Sequence, residues 1–152
     1  MKKPPYPDNE LKTVAECEKY VIDLTHNSLY WLRIDGYSWY IANPKDKEFV
    51  HMEGSGFVIT TDYPYKKFHI SLQQVSIDKM IGVKKNSDIW VNIEKSLLHE
   101  TFHLLLSRLV AQAHKRFLSP NEVTDHEEYV IDHLVGVFYP LLSNHRAKNK
   151  KS

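Results

Sequence analysis

Two histidines and a glutamate in one short segment have the residue types and spacing of a metal-dependent hydrolytic site. His99 and His103 are four residues apart, so on a helix they lie on the same face, one turn apart. Two imidazoles at that spacing can bind one ion, and zinc accepts nitrogen ligands of this kind. Glu100 follows His99 directly, where it could hold the metal-bound water and take its proton. The segment therefore predicts a zinc site with Glu100 as the catalytic base.

A third metal ligand is expected, because catalytic zinc sites usually have three protein ligands and one open position. Glu127 lies at the centre of the apolar face of the last predicted helix, where a carboxylate is costly unless a cation pairs with it. Glu128 precedes Asp132 by four residues, and a Glu-x-x-x-Asp pair recurs in thermolysin-like enzymes, with the Glu on zinc and the Asp orienting a ligand histidine. Glu127 and Glu128 both stay candidates, with Asp125 and His126 as further alternatives.

The helix that must position the histidines is predicted from about residue 92 to 117, where apolar residues recur with helical period. The histidines flank its apolar stripe, and Thr101 lies on the opposite, solvent-facing side. The stripe is formed by Leu98, Phe102, Leu105, Leu106, Leu109 and Val110. The site would then lie in a partly buried cleft. The simpler interpretation of the same pattern is two core histidines and one solvent-facing glutamate.

The other predicted elements give an α+β fold. Thr13 and Glu16 have the spacing of a capping box, so a helix is expected from about 13 to 26, and a last helix from about 122 to 143. Four β-rich segments lie between the first helix and the motif helix: Leu29–Ile34, Trp39–Ile41, Phe57–Thr61 and Phe68–Leu72. The first two are expected to form a hairpin around Asp35-Gly36. We predict a small, mainly antiparallel sheet packed against the N-terminal, motif and C-terminal helices.

Composition limits the class of protein. The 152 residues suit one domain, expected over 1–152 with flexible ends at 1–10 and 145–152. A net charge of +1 gives no strong attraction to nucleic acid or membranes. The single cysteine excludes an internal disulfide and a cysteine-based zinc ribbon. No segment has the pattern of a signal peptide or a membrane span, so a cytoplasmic protein is expected.

Two segments resemble known proteins. The run from Leu97 to His103 resembles the active-site helix of the zincin metallopeptidases, and residues 127–142 resemble the closing helix of small HExxH proteins common in phage and prophage genomes. IrrE-like and SprT-like peptidases share this plan of a small sheet, a HExxH helix and a following helix with the third ligand. The resemblance implies that His99 and His103 bind zinc and that Glu100 is the general base. It also implies an edge strand that pairs with the extended substrate, for which Phe68–Leu72 is the candidate.

The sequence thus favours a zinc-dependent hydrolase, most specifically a metallopeptidase that cleaves a peptide or protein through a glutamate-activated, zinc-bound water. The alternative is a zincin-fold binding or inhibitor protein without turnover, of phage origin. A third interpretation is a small structural α+β protein without a metal.

Overall fold

The computed structural model describes residues 7, 9–42, 57–62, 66–84, 87–114 and 119–149, and seven elements lie within them. They are α1 (Val14–Trp31), β1 (Ser38–Ala42), β2 (Phe57–Asp62), β3 (Lys67–Leu72), α2 (Gln74–Met80), α3 (Ile89–His114) and α4 (Pro120–Asn149). The predicted α+β class is confirmed. Of the ends expected to be flexible, residues 1–6, 8 and 150–152 lie outside the described residues.

The sheet is mixed and has the order β1-β3-β2. β3 is antiparallel to β2, with Ile59 opposite Ile70, and parallel to β1. The strand Phe68–Leu72 was expected at the edge beside the motif helix, and this expectation is wrong, because β3 is paired on both sides. The strand that lies against α3 is β2, since its Ile59 contacts Glu100 of that helix.

α1 begins with the predicted capping box, in which the Thr13 hydroxyl accepts from the Glu16 amide and the Glu16 carboxylate accepts from the Thr13 amide. The helix continues to Trp31, so the predicted strand Leu29–Ile34 and its hairpin are wrong. The reason is that Ser28 and Leu29 are buried and extend the buried face of the preceding turns. Packing therefore overrides the β-propensity of these residues.

α3 lies between two hydrophobic clusters. Its Leu97 and Leu104 belong to a cluster shared with α1, α2 and the sheet, which we call the sheet core. Its Leu98 and Phe102 belong to a second cluster with Ile131 and Leu142 of α4. We call this cluster the hairpin core, after the pair of consecutive helices α3 and α4. The helix is therefore covered along two sides, and its remaining flank carries the histidines.

This two-sided packing changes part of the predicted stripe. Thr101, expected in solvent, is fully buried, and its hydroxyl donates to the Leu97 carbonyl at 2.7 Å. Leu105 and Leu109, expected in the core, are 48% and 67% exposed. The prediction of a single apolar stripe is wrong, because the buried residues of α3 divide between two clusters, with Leu97 and Leu104 in the sheet core and Leu98 and Phe102 in the hairpin core.

Candidate metal centre

The packing of α4 on α3 brings the two predicted halves of the site together. Phe102, Ile131 and Leu142 are buried in the hairpin core, and the rings of Phe102 and Phe138 are 5.9 Å apart. α4 begins at Pro120, a residue suited to a first turn because it has no amide hydrogen to leave unbonded. Burial of these apolar residues fixes the opening turns of α4 beside the histidine flank of α3.

The two motif histidines turn the same ring atom toward each other. The Nε2 atoms of His99 and His103 are 3.3 Å apart, and the side chains are 22% and 21% exposed. The spacing of one helical turn predicted this convergence. The two rings are mostly buried but still reach solvent.

The carboxylate of Glu128 contacts both of these nitrogens. Its Oε2 is 3.1 Å from Nε2 of His99, and its Oε1 is 3.3 Å from Nε2 of His103. The side chain is 46% exposed, so it approaches the histidines from the open side of the site. Glu128 is thus the member of the α4 acidic group that faces the converging nitrogens.

Glu127 lies on the other side of His103. Its Oε1 is 3.0 Å from Nδ1 of that ring, and the side chain is only 13% exposed. Asp132 makes the equivalent contact to His99, with Oδ1 3.1 Å from Nδ1, although it is 77% exposed. Each ligand candidate therefore has its own carboxylate at the ring nitrogen that points away from the centre.

These carboxylates determine which tautomer the rings adopt. An ionised carboxylate only accepts hydrogen bonds, so Nδ1 of each histidine must carry the hydrogen and donate it. In the neutral rings Nε2 then holds a lone pair. Two Nε2 lone pairs and a carboxylate of Glu128 therefore face one another across 3.1 to 3.3 Å, which is repulsive unless a cation lies among them.

The distances among these three groups fit a zinc ion. Ligand atoms about 2.0–2.1 Å from a tetrahedral zinc ion are about 3.3 Å from one another. The observed separations are 3.3 Å between the nitrogens, 3.1 Å from Nε2 of His99 to Oε2 of Glu128, and 3.3 Å from Nε2 of His103 to Oε1 of Glu128. The Glu128 carboxylate thus presents both oxygens to the centre. His99, His103 and Glu128 would hold the metal.

Glu100 lies near the same centre, but its carboxylate has another partner. Ligand atoms of His99, Glu100 and His103 all lie within 4.8 Å of one another. Oε2 of Glu100 accepts a hydrogen bond of 3.0 Å from the backbone amide of Ile59. Burial raises the pKa of Glu100 above its ordinary value, and the Ile59 amide and the two histidines oppose that rise. This carboxylate is therefore the candidate for holding and moving a proton.

The remaining sequence candidates lie outside the centre. Asp125 and His126 are exposed, and no hydrogen bond or ion pair described at the site involves either of them. Sequence reasoning missed Ile59 altogether. It contributes a backbone amide, which any residue except proline carries, so no side-chain pattern could have marked it.

Comparison with known proteins gave no match: no family model fits the chain, and neither a curated protein nor a solved structure is significantly similar. Among the described residues, no helix has the length and apolar character needed to cross a membrane. The geometry of the site itself must therefore carry the functional argument.

Proposed function

We propose that this protein is a zinc-dependent hydrolase, and specifically a metallopeptidase. The observation that carries the proposal is the convergence of His99 Nε2, His103 Nε2 and the two oxygens of Glu128 within 3.1 to 3.3 Å, which are separations that ligands of one zinc ion have. Chance placement of histidines on a helix flank would not also orient both rings through carboxylates at Nδ1. Metal ligands in proteins are commonly oriented in this way.

Glu128 is the third ligand in this proposal, and Glu127 orients His103. The two assignments follow from which ring nitrogen each carboxylate faces. Glu127 contacts only the nitrogen that points away from the centre, so it would have to leave His103 in order to bind the metal. Asp132 orients His99 in the same way.

Zinc bound here would polarise a substrate carbonyl and lower the pKa of a water molecule toward neutrality. Glu100 would take a proton from the attacking water as the C–O bond forms, and would deliver that proton to the leaving nitrogen as the C–N bond breaks. Its partial burial supports the proton-accepting part of this role, because a carboxylate with a raised pKa takes up a proton more readily.

A polypeptide in extended conformation is the proposed substrate. β2 lies beside Glu100 and ends the described sheet on that side, because the order is β1-β3-β2. The outer backbone groups of such a strand can pair with a further extended chain. A peptide bound there would run past the carboxylate that moves the proton.

The first experiment is zinc analysis by elemental mass spectrometry on the untagged, dialysed protein. We expect about one zinc per chain in wild type and little in Glu128→Ala, since loss of one of three ligands weakens zinc binding strongly. Glu100→Gln serves as the matched control and should retain zinc. If wild type holds no zinc even after zinc is offered, the proposal is wrong and a protein without a metal remains.

Catalysis is tested separately with a mixture of end-blocked octapeptides analysed by mass spectrometry. Wild type should cleave members of the mixture, a chelator should stop the cleavage, and Glu100→Gln should retain zinc but lose activity by roughly 100-fold or more. Zinc binding without any cleavage would favour the non-catalytic binding protein instead. If an effect of the protein in cells is unchanged by Glu100→Gln, that effect depends on binding and not on catalysis, which would also favour the non-catalytic binding protein.

A further inference from the structure

The backbone amide of Ile59 points away from β3, at the outer edge of β2, toward Glu100. Ile59 is opposite Ile70 in the antiparallel pair of β2 and β3. Its N–H donates to Glu100, not to β3. In antiparallel pairs, residues bond to the partner strand and away from it alternately, with both N–H and C=O of a residue on the same side. The N–H and C=O of Ile59 therefore both face the outer edge of β2, and those of Phe57 and Thr61 share this direction.

An extended chain that adds to this edge needs the same amide. A residue that pairs with Ile59 in a ladder accepts a hydrogen bond from its N–H and donates one to its C=O. The N–H is already bonded to Oε2 of Glu100 at 3.0 Å. One amide hydrogen does not satisfy two acceptors at full strength, so the incoming carbonyl and the carboxylate compete for it.

We propose that the Ile59 amide is exchanged between Glu100 and the substrate, so that strand pairing releases the catalytic base. This inference rests on the proposed function. In the free protein the amide holds the carboxylate against the sheet edge. In the complex the substrate carbonyl takes the amide, and Glu100 turns to the water and the scissile bond. Binding of an extended chain and preparation of the base are then a single event.

The arrangement selects among substrates. A chain long enough to pair with β2 releases Glu100, whereas a blocked dipeptide that only reaches the metal leaves it bonded to Ile59. The recognised groups are backbone carbonyls and amides, so the preference is for extended, unfolded segments, with no demand on side-chain identity at the paired position. Helical segments are excluded because their backbone groups are already bonded.

Amide hydrogen exchange measured by NMR on the zinc-loaded full chain tests the hydrogen bond without relying on activity. We expect the Ile59 amide to be protected in wild type and to exchange about 10-fold or more faster in Glu100→Ala, which lacks the acceptor. Adding the octapeptide that wild type cleaves fastest should restore protection at Ile59 in this inactive variant. If Ile59 stays unprotected when that peptide is saturating, the exchange does not occur.

Ile59→Pro tests the consequence for catalysis. Proline removes the N–H, fixes φ and replaces a side chain that packs against the sheet core. The outward-facing N–H itself makes no ladder bond within the described sheet that folding would lose. The variant should cleave a blocked dipeptide several-fold faster than wild type, because Glu100 is already released, and should cleave the octapeptide more slowly, because a pairing bond is gone. Thr61→Pro is the matched control: it carries the same replacement on the same edge and leaves the Ile59 amide intact, so dipeptide cleavage should not rise.

The opposite effects on short and long substrates distinguish exchange of the amide from a general loss of activity. If Ile59→Pro slows both substrates equally while zinc content and circular dichroism stay normal, the exchange is wrong and the metallopeptidase proposal stands. If wild type neither binds zinc nor cleaves any peptide, the proposed function fails, and this inference fails with it. Should Ile59→Pro not fold, the hydrogen-exchange comparison with Glu100→Ala decides alone.

Discussion

His103 donates a hydrogen bond from Nδ1 to Oε1 of Glu127 across 3.0 Å, and this bond turns its Nε2 toward His99 and Glu128. Glu127 is 13% exposed, so the bond is shielded from competing water. The orientation of one proposed metal ligand is therefore set by a carboxylate that would not need to contact the metal.

The first prediction concerns the charge and the hydrogen bond of Glu127 separately. Glu127→Gln keeps an oxygen that accepts from Nδ1, so zinc affinity should fall only a few-fold. Glu127→Ala removes the acceptor and should weaken zinc binding by about 10- to 100-fold. The measurement is competition with a chromophoric chelator at fixed pH. If Glu127→Gln loses zinc as completely as Glu128→Ala, then Glu127 is a direct ligand after all.

Asp132 provides the comparison for that series. It makes the same kind of bond to His99 but is 77% exposed. Solvent weakens such an exposed contact, so Asp132→Ala should reduce zinc affinity less than Glu127→Ala does. Equal losses in the two alanine variants would mean that burial does not decide how strongly these carboxylates support the ligands.

The second prediction concerns stability. Zinc bound only by the folded protein should raise the free energy of unfolding by about 2.7 kcal/mol at 100 times its dissociation constant. Glu128→Ala should show little of this increase, while its stability in the presence of a chelator stays close to that of wild type. Urea unfolding with and without zinc provides the measurement. A zinc effect of equal size in both proteins would place the metal elsewhere.

The third prediction concerns the hairpin core. Phe102 is 1% exposed, and its ring lies 5.9 Å from that of Phe138. Phe102→Ala should lower the free energy of unfolding by about 3–5 kcal/mol, because it leaves a cavity between α3 and α4. Leu109→Ala on the same helix is the control, since this leucine is 67% exposed and should cost less than about 1 kcal/mol. Similar losses would mean that α4 does not pack as described.

The fourth prediction is a pH dependence at the start of α1. Backbone amides of Lys12 and Thr13 donate to Glu16 and hold the pKa of that carboxyl below its ordinary value. A carboxyl with a lowered folded-state pKa stabilises the fold above its unfolded-state pKa, and this contribution is lost as pH falls through the folded-state value. The stability gap between wild type and Glu16→Gln should therefore shrink between about pH 7 and about pH 3. Glu10→Gln, at an exposed position just before the helix, is the matched control for removal of one negative charge.

Several features of the fold and of the candidate site could be predicted from the sequence alone, because they depend on local spacing and composition. The pairing of His99 with His103 was predictable because it depends only on helical spacing. The capping box at Thr13 and Glu16 was predictable for the same local reason. The α+β class and the strands near Phe57 and Phe68 followed from composition and alternation, and they are confirmed.

The sequence pattern could not decide which of Glu127 and Glu128 faces the converging nitrogens of the two histidines. Helical geometry correctly marked Glu127 as the more buried of the two, since it is 13% exposed against 46% for Glu128. Burial implies a partner but does not say which one, and in this fold the partner is the outer nitrogen of His103. Which nitrogen a carboxylate meets depends on the placement of α4 against α3, which is a tertiary property.

The order of the strands in the sheet could not be predicted from the sequence either. β1 pairs with β3 although β2 lies between them in the chain, and the two run parallel. Segment patterns report strands but not their partners, so the hairpin expected around Asp35 and Gly36 was the default for neighbours in sequence. Tertiary burial of Leu29 removed the first strand of that hairpin.

The two cores on α3 also bear on how such a protein can change over evolution. The α4 helix that brings its carboxylates to His99 and His103 packs through the hairpin core, whereas β2 and the sheet pack through the sheet core. Substitutions far from α3 in one cluster need little compensation in the other, since separated sites contribute to stability almost additively, whereas the adjacent Leu97 and Leu98 tie the two clusters together. Selection can therefore change the outward-facing side chains of β2 while the proposed metal ligands stay in place, provided that the backbone of Ile59 keeps its contact with Glu100.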